Sequence, residues 1–237
     1  MKKKGILALL LSMLLVFSLS ACSGGNPEVE AALEGKTFYC NGGTVNSTYA
    51  ITFTDGSTSL VCQFADGNGV HDSTESGDTG TYSIDDTNIT ITWESHDEMV
   101  IPYVLDGENI TLADGAYRTA DQVKEDLQGI WKYRKVDFVL GIFTEDEHNL
   151  KFEGDTVVYQ HASKATYGAP GEYYYYGPYN CSYVIDGCKI ILSGEEDKEL
   201  FFTIETEGDN KNTAVPFNYS NKFAKTDTFP GVNDYQF

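Results

Sequence analysis

Positive charge is scarce in this chain of 237 residues. Lysine and arginine together number 16, against 36 aspartate and glutamate residues, which gives a formal net charge of −20 at pH 7. So acidic a surface repels phosphate backbones, and this argues against nucleic acids as partners.

Histidine is also scarce, and the motifs of familiar enzymes are missing. The four histidines, His71, His96, His148 and His161, are scattered, and each lies in a polar context that is typical of a loop. The chain has no Gly-x-Ser-x-Gly, no His-Glu-x-x-His and no P-loop. Its acidic runs lack the spacing of a calcium loop, and its cysteines lack histidines at zinc-site spacing. We therefore expect no enzyme activity, no cofactor and no metal site, with a hydrolase that uses paired carboxylates as the remaining enzymatic alternative.

One long apolar run occurs, from Ile6 to Leu19, and three lysines precede it. It is shorter than the roughly 20 residues that a membrane-spanning helix needs. The order of basic, apolar and small residues is typical of a secretory signal, which we assign to residues 1–21.

The end of this leader, LSAC at residues 19–22, resembles the lipobox of bacterial lipoproteins. The resemblance implies cleavage before Cys22 and a lipid on its sulfur. The protein would then be exported and anchored to the bacterial membrane, facing outside the cytoplasm. Residues 22–27 would form the lipidated cysteine and a short tether.

The rest of the chain repeats itself. Residues 33–38 (LEGKTF) match 127–131 (LQGIW), and residues 80–85 (GTYSID) match 181–186 (CSYVID). We therefore predict two homologous modules and a C-terminal tail, at 28–120, 121–226 and 227–237.

Within each module, apolar and polar residues alternate between turn signals. Asp-Gly pairs at 55–56, 106–107 and 186–187 predict hairpins. Helical signal is confined to residues 26–33 and 119–127, each just before a module's first strand. Because a closed meander has no exposed edges, the pattern predicts an all-β fold of two tandem up-and-down meander β-barrels.

Four motifs recur: Leu-x-Gly-x-Trp or Phe, a Phe-x-x-Asp/Gly hairpin, Gly-x-Tyr-x-Ile, and a final aromatic-basic strand. Together they resemble the lipocalin-like domains of small bacterial lipoproteins. The resemblance covers both modules and implies calycin-like barrels with a cup-shaped interior, but no particular activity. The chain departs from the family pattern at Phe38, where Trp is usual, and in the enlarged Tyr-rich middle of the second module.

That middle, residues 167–183 (YGAPGEYYYYGPYNCSY), is the main candidate for ligand contact. Tyrosine combines a flat apolar ring with a hydroxyl, which suits sugars, aromatic ligands and protein partners. The alternative is a strand with alternate tyrosines in the core. The candidate ligand-binding residues are Tyr167, Tyr173, Tyr174, Tyr175, Tyr176 and Tyr179.

Four cysteines follow Cys22 in the sequence, and an exported protein can oxidise them. Cys40 and Cys62 are the candidate disulfide. A turn at 186–187 would place Cys181 opposite Leu192, too far from Cys188 for a bond unless a bulge intervenes. Buried reduced thiols are the alternative.

These observations favour a non-enzymatic binding protein for a small molecule or a glycan. The ligand would enter a barrel mouth or lie against the Tyr-rich segment. The alternative is an envelope module for structure or protein–protein interaction, because an eight-stranded barrel can be filled by its own side chains.

Overall fold

Strands dominate the structure, a computed structural model. It describes residues 25–43, 47–64, 76–139, 142–166, 173–209, 211–218 and 221–230. Two antiparallel sheets account for most of these residues, and the described part contains two short α-helices, α1 (Pro27–Leu33) and α2 (Ala120–Leu127). The prediction of an all-β fold with two tandem meanders is confirmed. The predicted leader, Cys22 and most of the predicted tail lie outside the described residues.

The first sheet has eight strands in the order β7-β6-β5-β4-β3-β2-β1-β8, and it forms a half-barrel. Its strands follow one another as an up-and-down meander, except that short β8 returns to pair with β1. The strands are β1 (Thr37–Asn41), β2 (Ser47–Thr54), β3 (Ser57–Phe64), β4 (Ser76–Ile84), β5 (Asn88–Trp93), β6 (Met99–Asp106), β7 (Asn109–Leu112) and β8 (Arg118–Thr119).

The second sheet has the order β16-β15-β14-β13-β12-β11-β10-β9-β17 and is a nearly closed barrel. β16 pairs with β15 and β17 pairs with β9, so the chain segment 221–226 links the two edges of the sheet. The strands are β9 (Gly129–Val139), β10 (Ile142–Glu153), β11 (Thr156–Thr166), β12 (Tyr173–Asp186), β13 (Lys189–Gly194), β14 (Lys198–Ile204), β15 (Ala214–Asn218), β16 (Asn221–Lys222) and β17 (Ala224–Thr226).

Local sequence explains where these elements begin and turn. Asp55 and Gly56 form the tight turn between β2 and β3, with φ of 34° and 76°, which suits the primed turns of hairpins. The Asn26 side chain accepts a hydrogen bond at the start of α1, and Thr119 and Gln122 form a capping box at the start of α2. Both predicted helical segments are therefore confirmed.

The two sheets bury corresponding residues. The helix residues Leu33 and Leu127, which correspond in the repeat, are fully buried. Phe53 meets Tyr82 edge-on at 5.2 Å between ring centroids, and Phe152 meets Tyr183 in the same manner at 5.0 Å. The repeated sequence positions therefore carry repeated core contacts.

The described chain divides into two compact units. The first comprises the residues up to Lys36 together with Phe53–Thr58 and Asp78–Asp114; the second comprises Thr37–Thr52, Ser59–Gly77 and the residues from Gly115 onward. The predicted module boundaries at residues 120 and 121 stay a prediction.

Within the second unit, β1 and the start of β2 pack against β14. The Asn41 side-chain amide donates to the Ile204 carbonyl at 2.9 Å, and the Thr48 hydroxyl donates to the Phe202 carbonyl at 2.6 Å. The Tyr39 ring meets Phe202 edge-on at 5.2 Å. These contacts explain why the opening strand of the first sheet belongs to the second unit.

The second barrel contains a core of its own apolar side chains. Trp131, Leu150, Phe152 and Phe202 belong to one apolar cluster, and each is at most 2% exposed. The Trp131 ring nitrogen donates to the Leu127 carbonyl at 2.7 Å, which joins α2 to this core.

Within the described residues, no helix has the length and apolarity to cross a membrane.

Candidate functional site

Four aromatic rings form a ladder across strands β9 to β12. Register places His148 opposite both Tyr133 and His161, and His161 opposite Tyr176. Successive ring centroids are 5.6, 4.3 and 5.4 Å apart, and the planes are inclined by 18°, 7° and 19°. The rings therefore stack nearly parallel, each on the ring of the neighbouring strand.

Strand alternation explains why the histidines face the barrel interior. His148 lies two residues before Leu150 on β10, and His161 lies two residues after Tyr159 on β11. Residues two apart on a strand share a face. Since Leu150 and Tyr159 are core residues, both histidines share their face.

Tyr159 connects the ladder to a second set of contacts. Its hydroxyl and His148 Nδ1 share a hydrogen bond of 2.9 Å. Its ring stacks on Tyr179, with centroids 6.3 Å apart, and the Lys198 ammonium lies 5.0 Å from its centre. Tyr159 is only 3% exposed, so it forms the floor beneath more open groups.

A bulge in β12 brings two tyrosines to the same side. Register pairs Tyr159 with Tyr179 but His161 with Tyr176, so β12 has one extra residue between these pairs. In a regular strand, Tyr176 and Tyr179 would face opposite sides, because their spacing is odd. Gly177 sits in this bulge at φ 91°, and a Cβ there would lie 2.8 Å from the Tyr159 carbonyl oxygen. Glycine is therefore required at this position.

These side chains border an open pocket of about 310 Å³. The buried His148 and Tyr159 line it together with Ser163 and more exposed groups of mixed chemistry. Those are Asp146, His161, Tyr176, Tyr179, Glu196 and Lys198. The pocket thus combines tyrosine rings with carboxylates and an ammonium group.

Burial disfavours the charged forms of several groups in this region. It lowers the pKa of His148 to about 3, and the nearby His161 and Lys198 add to this effect. Burial likewise raises the pKa of Tyr133 to about 12. It also lowers the pKa of Lys198, an effect that Glu196 opposes.

Asp146 and His161 are close but do not form a good hydrogen bond. Their nearest atoms, Oδ1 and Nε2, are 3.6 Å apart. The His161 Nε2 atom is buried and has no hydrogen-bond partner among the described residues. Asp146 is about two-fifths exposed, so its carboxylate remains available to a ligand.

The structure separates the predicted tyrosines. Tyr176 and Tyr179 line the pocket, whereas Tyr174 is 62% exposed and lies opposite Ser163 on β11. Tyr175 lies opposite Ala162 and, by alternation, on the other face of the sheet. Two predicted positions lie outside the described side chains, namely Tyr167 and Tyr173.

The sequence-based interpretation of His148 and His161 was wrong. Both lie within strands, not in loops, and together they form the centre of the aromatic ladder. The available signal was parity: each histidine stands two residues from an apolar or aromatic core residue. Charged residues near His148 concealed this pattern: Glu145 and Glu147 occupy alternate positions, and Asp146 lies on the same face as the histidine.

The expected register around the second cysteine pair was also wrong. The turn comprises Gly187 and Cys188, one residue later than predicted, so Cys181 lies opposite Gly194 rather than Leu192. The cause is the pairing of Asp186 with Lys189, which shifts every partner along the hairpin.

The thiols of this pair have separate partners. Cys181 Sγ donates to the Glu196 carbonyl at 3.2 Å, and Cys188 Sγ donates to the Thr48 carbonyl at 3.4 Å. Cys40 is buried, but the side chain of Cys62 lies outside the described residues. Cys40 is a reduced thiol in the structure, so the predicted Cys40–Cys62 disulfide is not formed there, and the alternative of a buried reduced thiol applies to Cys40.

The first unit contains a smaller polar cluster. The Asp78 carboxylate is 2% exposed, and it forms a hydrogen bond of 2.5 Å with His96 Nδ1. It also accepts the backbone N–H groups of Thr79 and Ser95. The hydrogen bond from His96 lowers the pKa of Asp78, and these backbone donors contribute to the same effect. This arrangement fixes the turn after β5.

Within the described residues, no group of three or more His, Cys, Asp or Glu side chains is arranged to hold a metal ion. Comparison of the chain with protein-family models, with curated proteins and with solved structures gives no match.

Proposed function

We propose that this chain is a non-enzymatic binding protein that takes up a small molecule or a glycan at the mouth of its second barrel. The main support for this proposal is the pocket of about 310 Å³ that Tyr176, Tyr179 and Lys198 border. Its volume falls at the lower end of the range of roughly 300–1,000 Å³ that is usual for small-molecule sites. His148 supports a binding role, because its hydrogen bond to Tyr159 fixes the floor of the pocket.

In this proposal the protein acts outside the cytoplasm. The lipobox resemblance at residues 19–22 supports a lipid anchor on Cys22, and the lipocalin-like motifs support a barrel that presents its mouth to solvent. The net charge of −20 suits a protein held by lipid rather than by attraction to an anionic surface.

A second candidate is an envelope module for structure or protein–protein interaction. This candidate is supported by the packed interior beneath the pocket, where Trp131, Phe152 and Phe202 are at most 2% exposed. Side chains that fill this part of the interior leave it to the outer surface to carry the function in this second candidate.

Thermal unfolding with a compound library tests the proposal. Sugars, amino acids, aromatic acids, amines and fatty acids are each added to the purified protein. A ligand of the native state raises the unfolding temperature, because binding adds RT ln(1 + [L]/Kd) to the free energy of unfolding. We expect at least one compound to do so and Tyr179→Ala to abolish the shift. If no compound raises the unfolding temperature and native mass spectrometry detects no bound molecule, the second candidate replaces the first.

Cell fractionation tests the anchor. We expect labelled palmitate to be incorporated into the wild-type protein of the membrane fraction and not into Cys22→Ser, because the variant has no sulfur to carry the lipid. A matched change, Ser23→Ala, leaves the cysteine intact and keeps the protein in the membrane fraction. Incorporation of labelled palmitate into Cys22→Ser would contradict the anchor, whereas retention of that variant in the membrane fraction would show only that its apolar leader was not removed.

A further inference from the structure

We infer that the pocket of the second barrel binds a saccharide. One sugar ring would stack on a tyrosine, and its hydroxyl groups would form hydrogen bonds with charged side chains. This inference rests on the proposed binding function. Its basis is the mixed lining, in which Asp146 and Glu196 are acceptors, Lys198 is a donor, and Ser163 is both.

The charges of the pocket disfavour ionic ligands. Two carboxylates, Asp146 and Glu196, repel an anion, and the chain as a whole carries a net charge of −20. The half-buried ammonium of Lys198 repels an organic cation. A neutral ligand with several hydroxyl groups can instead form hydrogen bonds with the carboxylates and with the ammonium group, since a hydroxyl both donates and accepts hydrogen bonds.

A wholly apolar ligand fits the pocket poorly as well. It would cover Asp146, Glu196 and Lys198 without replacing the water that hydrates them, and burial of an unpaired polar or charged group is costly. The apolar side chains that such a ligand needs are already packed against one another beneath Tyr159.

The tyrosines supply the flat surface that a sugar ring requires. Tyr176 is 47% exposed. The His161 ring of the ladder stacks on one of its faces, with ring centroids 5.4 Å apart, and this contact fixes the orientation of the tyrosine ring. Tyr179 is held in the same way by Tyr159 at 6.3 Å. Rings that are fixed before binding lose little conformational entropy when a ligand arrives.

Titration calorimetry with a defined panel tests this inference. The probes are glucose, galactose, mannose and N-acetylglucosamine, with disaccharides and trisaccharides of each, and palmitate, tryptamine and indole acetate as the contrasting classes. We expect at least one saccharide to bind, and we expect Tyr176→Ala and Lys198→Met each to weaken its binding about tenfold.

The matched controls lie on the same barrel but outside the pocket. Phe138→Ala removes a ring that is 73% exposed, and Lys189→Met removes an ammonium group that pairs with Glu199. Both should leave the affinity within about twofold of the wild-type value. Circular dichroism of each variant shows that the fold is retained.

The outcomes separate this inference from the proposed function. Binding of palmitate, tryptamine or indole acetate in a Tyr176-dependent manner, with no saccharide bound, overturns the inference and leaves the binding function standing. Saccharide binding that neither Tyr176→Ala nor Lys198→Met weakens also overturns it, because the site would lie elsewhere. If no probe binds and the library of the preceding section also gives no ligand, both fail.

Discussion

The two sheets follow one plan but differ in strand length. Each has a short helix before its first strand, a meander, and a short last strand that pairs with the first one. The first four strands have 5, 8, 8 and 9 residues in the first sheet. In the second sheet they have 11, 12, 11 and 14 residues.

The difference shows how a repeated scaffold acquires a site. The shared positions, such as Phe53 and Phe152, fill the interior of each sheet. In the second sheet, the strands continue past this core and carry His148, His161 and Tyr176 beyond it. The shared part provides stability, and the additional length provides the pocket.

The largest expected effect tests the shared part. Phe53→Ala and Phe152→Ala each remove a fully buried ring that meets a tyrosine edge-on. Each should lower the free energy of unfolding by about 3–5 kcal/mol, because a cavity remains where the ring was. Chemical denaturation of both variants measures this. If one variant loses less than a third as much stability as the other, the two positions are not equivalent.

The bulge of β12, which distinguishes the second sheet, should also be sensitive. We expect Gly177→Ala to lower the free energy of unfolding by about 3 kcal/mol. The alanine would have to adopt a positive φ, and its Cβ would also clash with the Tyr159 carbonyl oxygen. Gly56→Ala is the matched control: its φ is 76° but no atom lies within 4 Å of the new Cβ. It should cost only about 1 kcal/mol. Equal losses from the two substitutions would show that the bulge is not tightly packed.

Acid should reveal the buried histidine of the second sheet. His148 has a pKa of about 3 in the folded chain and about 6.5 when unfolded, so below pH 6.5 the unfolded chain binds a proton that the folded chain does not. Stability from the neutral imidazole is complete above pH 6.5 and falls by about 1.4 kcal/mol per pH unit as the pH decreases toward 3. His148→Gln should lose about 2 kcal/mol less than the wild type between pH 6.5 and 5.

Denaturation at pH 8, 6.5 and 5 checks this expectation. Between pH 8 and 6.5 the two proteins should differ in their change by no more than about 0.4 kcal/mol, because His148 stays neutral in the folded state and is only half protonated in the unfolded state at pH 6.5. Parallel behaviour down to pH 5 would mean that the folded chain accepts the proton on His148.

The smallest effect is expected on the outer face of the second sheet. Lys151 pairs with Glu153, and both side chains are more than one-third exposed. Lys151→Ala should change the free energy of unfolding by no more than about 0.5 kcal/mol, because water screens such pairs. A loss of 2 kcal/mol or more in the same denaturation assay would show that surface ion pairs contribute to the difference between the sheets.

Local features of the fold were predictable because they depend on neighbouring residues. The Asp55-Gly56 turn, the capping residue Thr119 and the alternation along each strand are written in short segments of sequence. Two tyrosines of the pocket, Tyr176 and Tyr179, were also among the predicted ligand contacts. The histidines were not, because their role depends on which residues stand opposite them.

The sequence by itself determined the all-β meander, its turns and its helix starts, since each follows from propensity and periodicity within a few residues. Only the tertiary structure decided the register, and a shift of one residue turns every side chain to the other face. That register stacks His148 on His161, and the extra residue beside Gly177 brings Tyr176 and Tyr179 to one pocket. These arrangements depend on how each strand pairs with its neighbour, so pairing energies rather than the preferences of single residues select them.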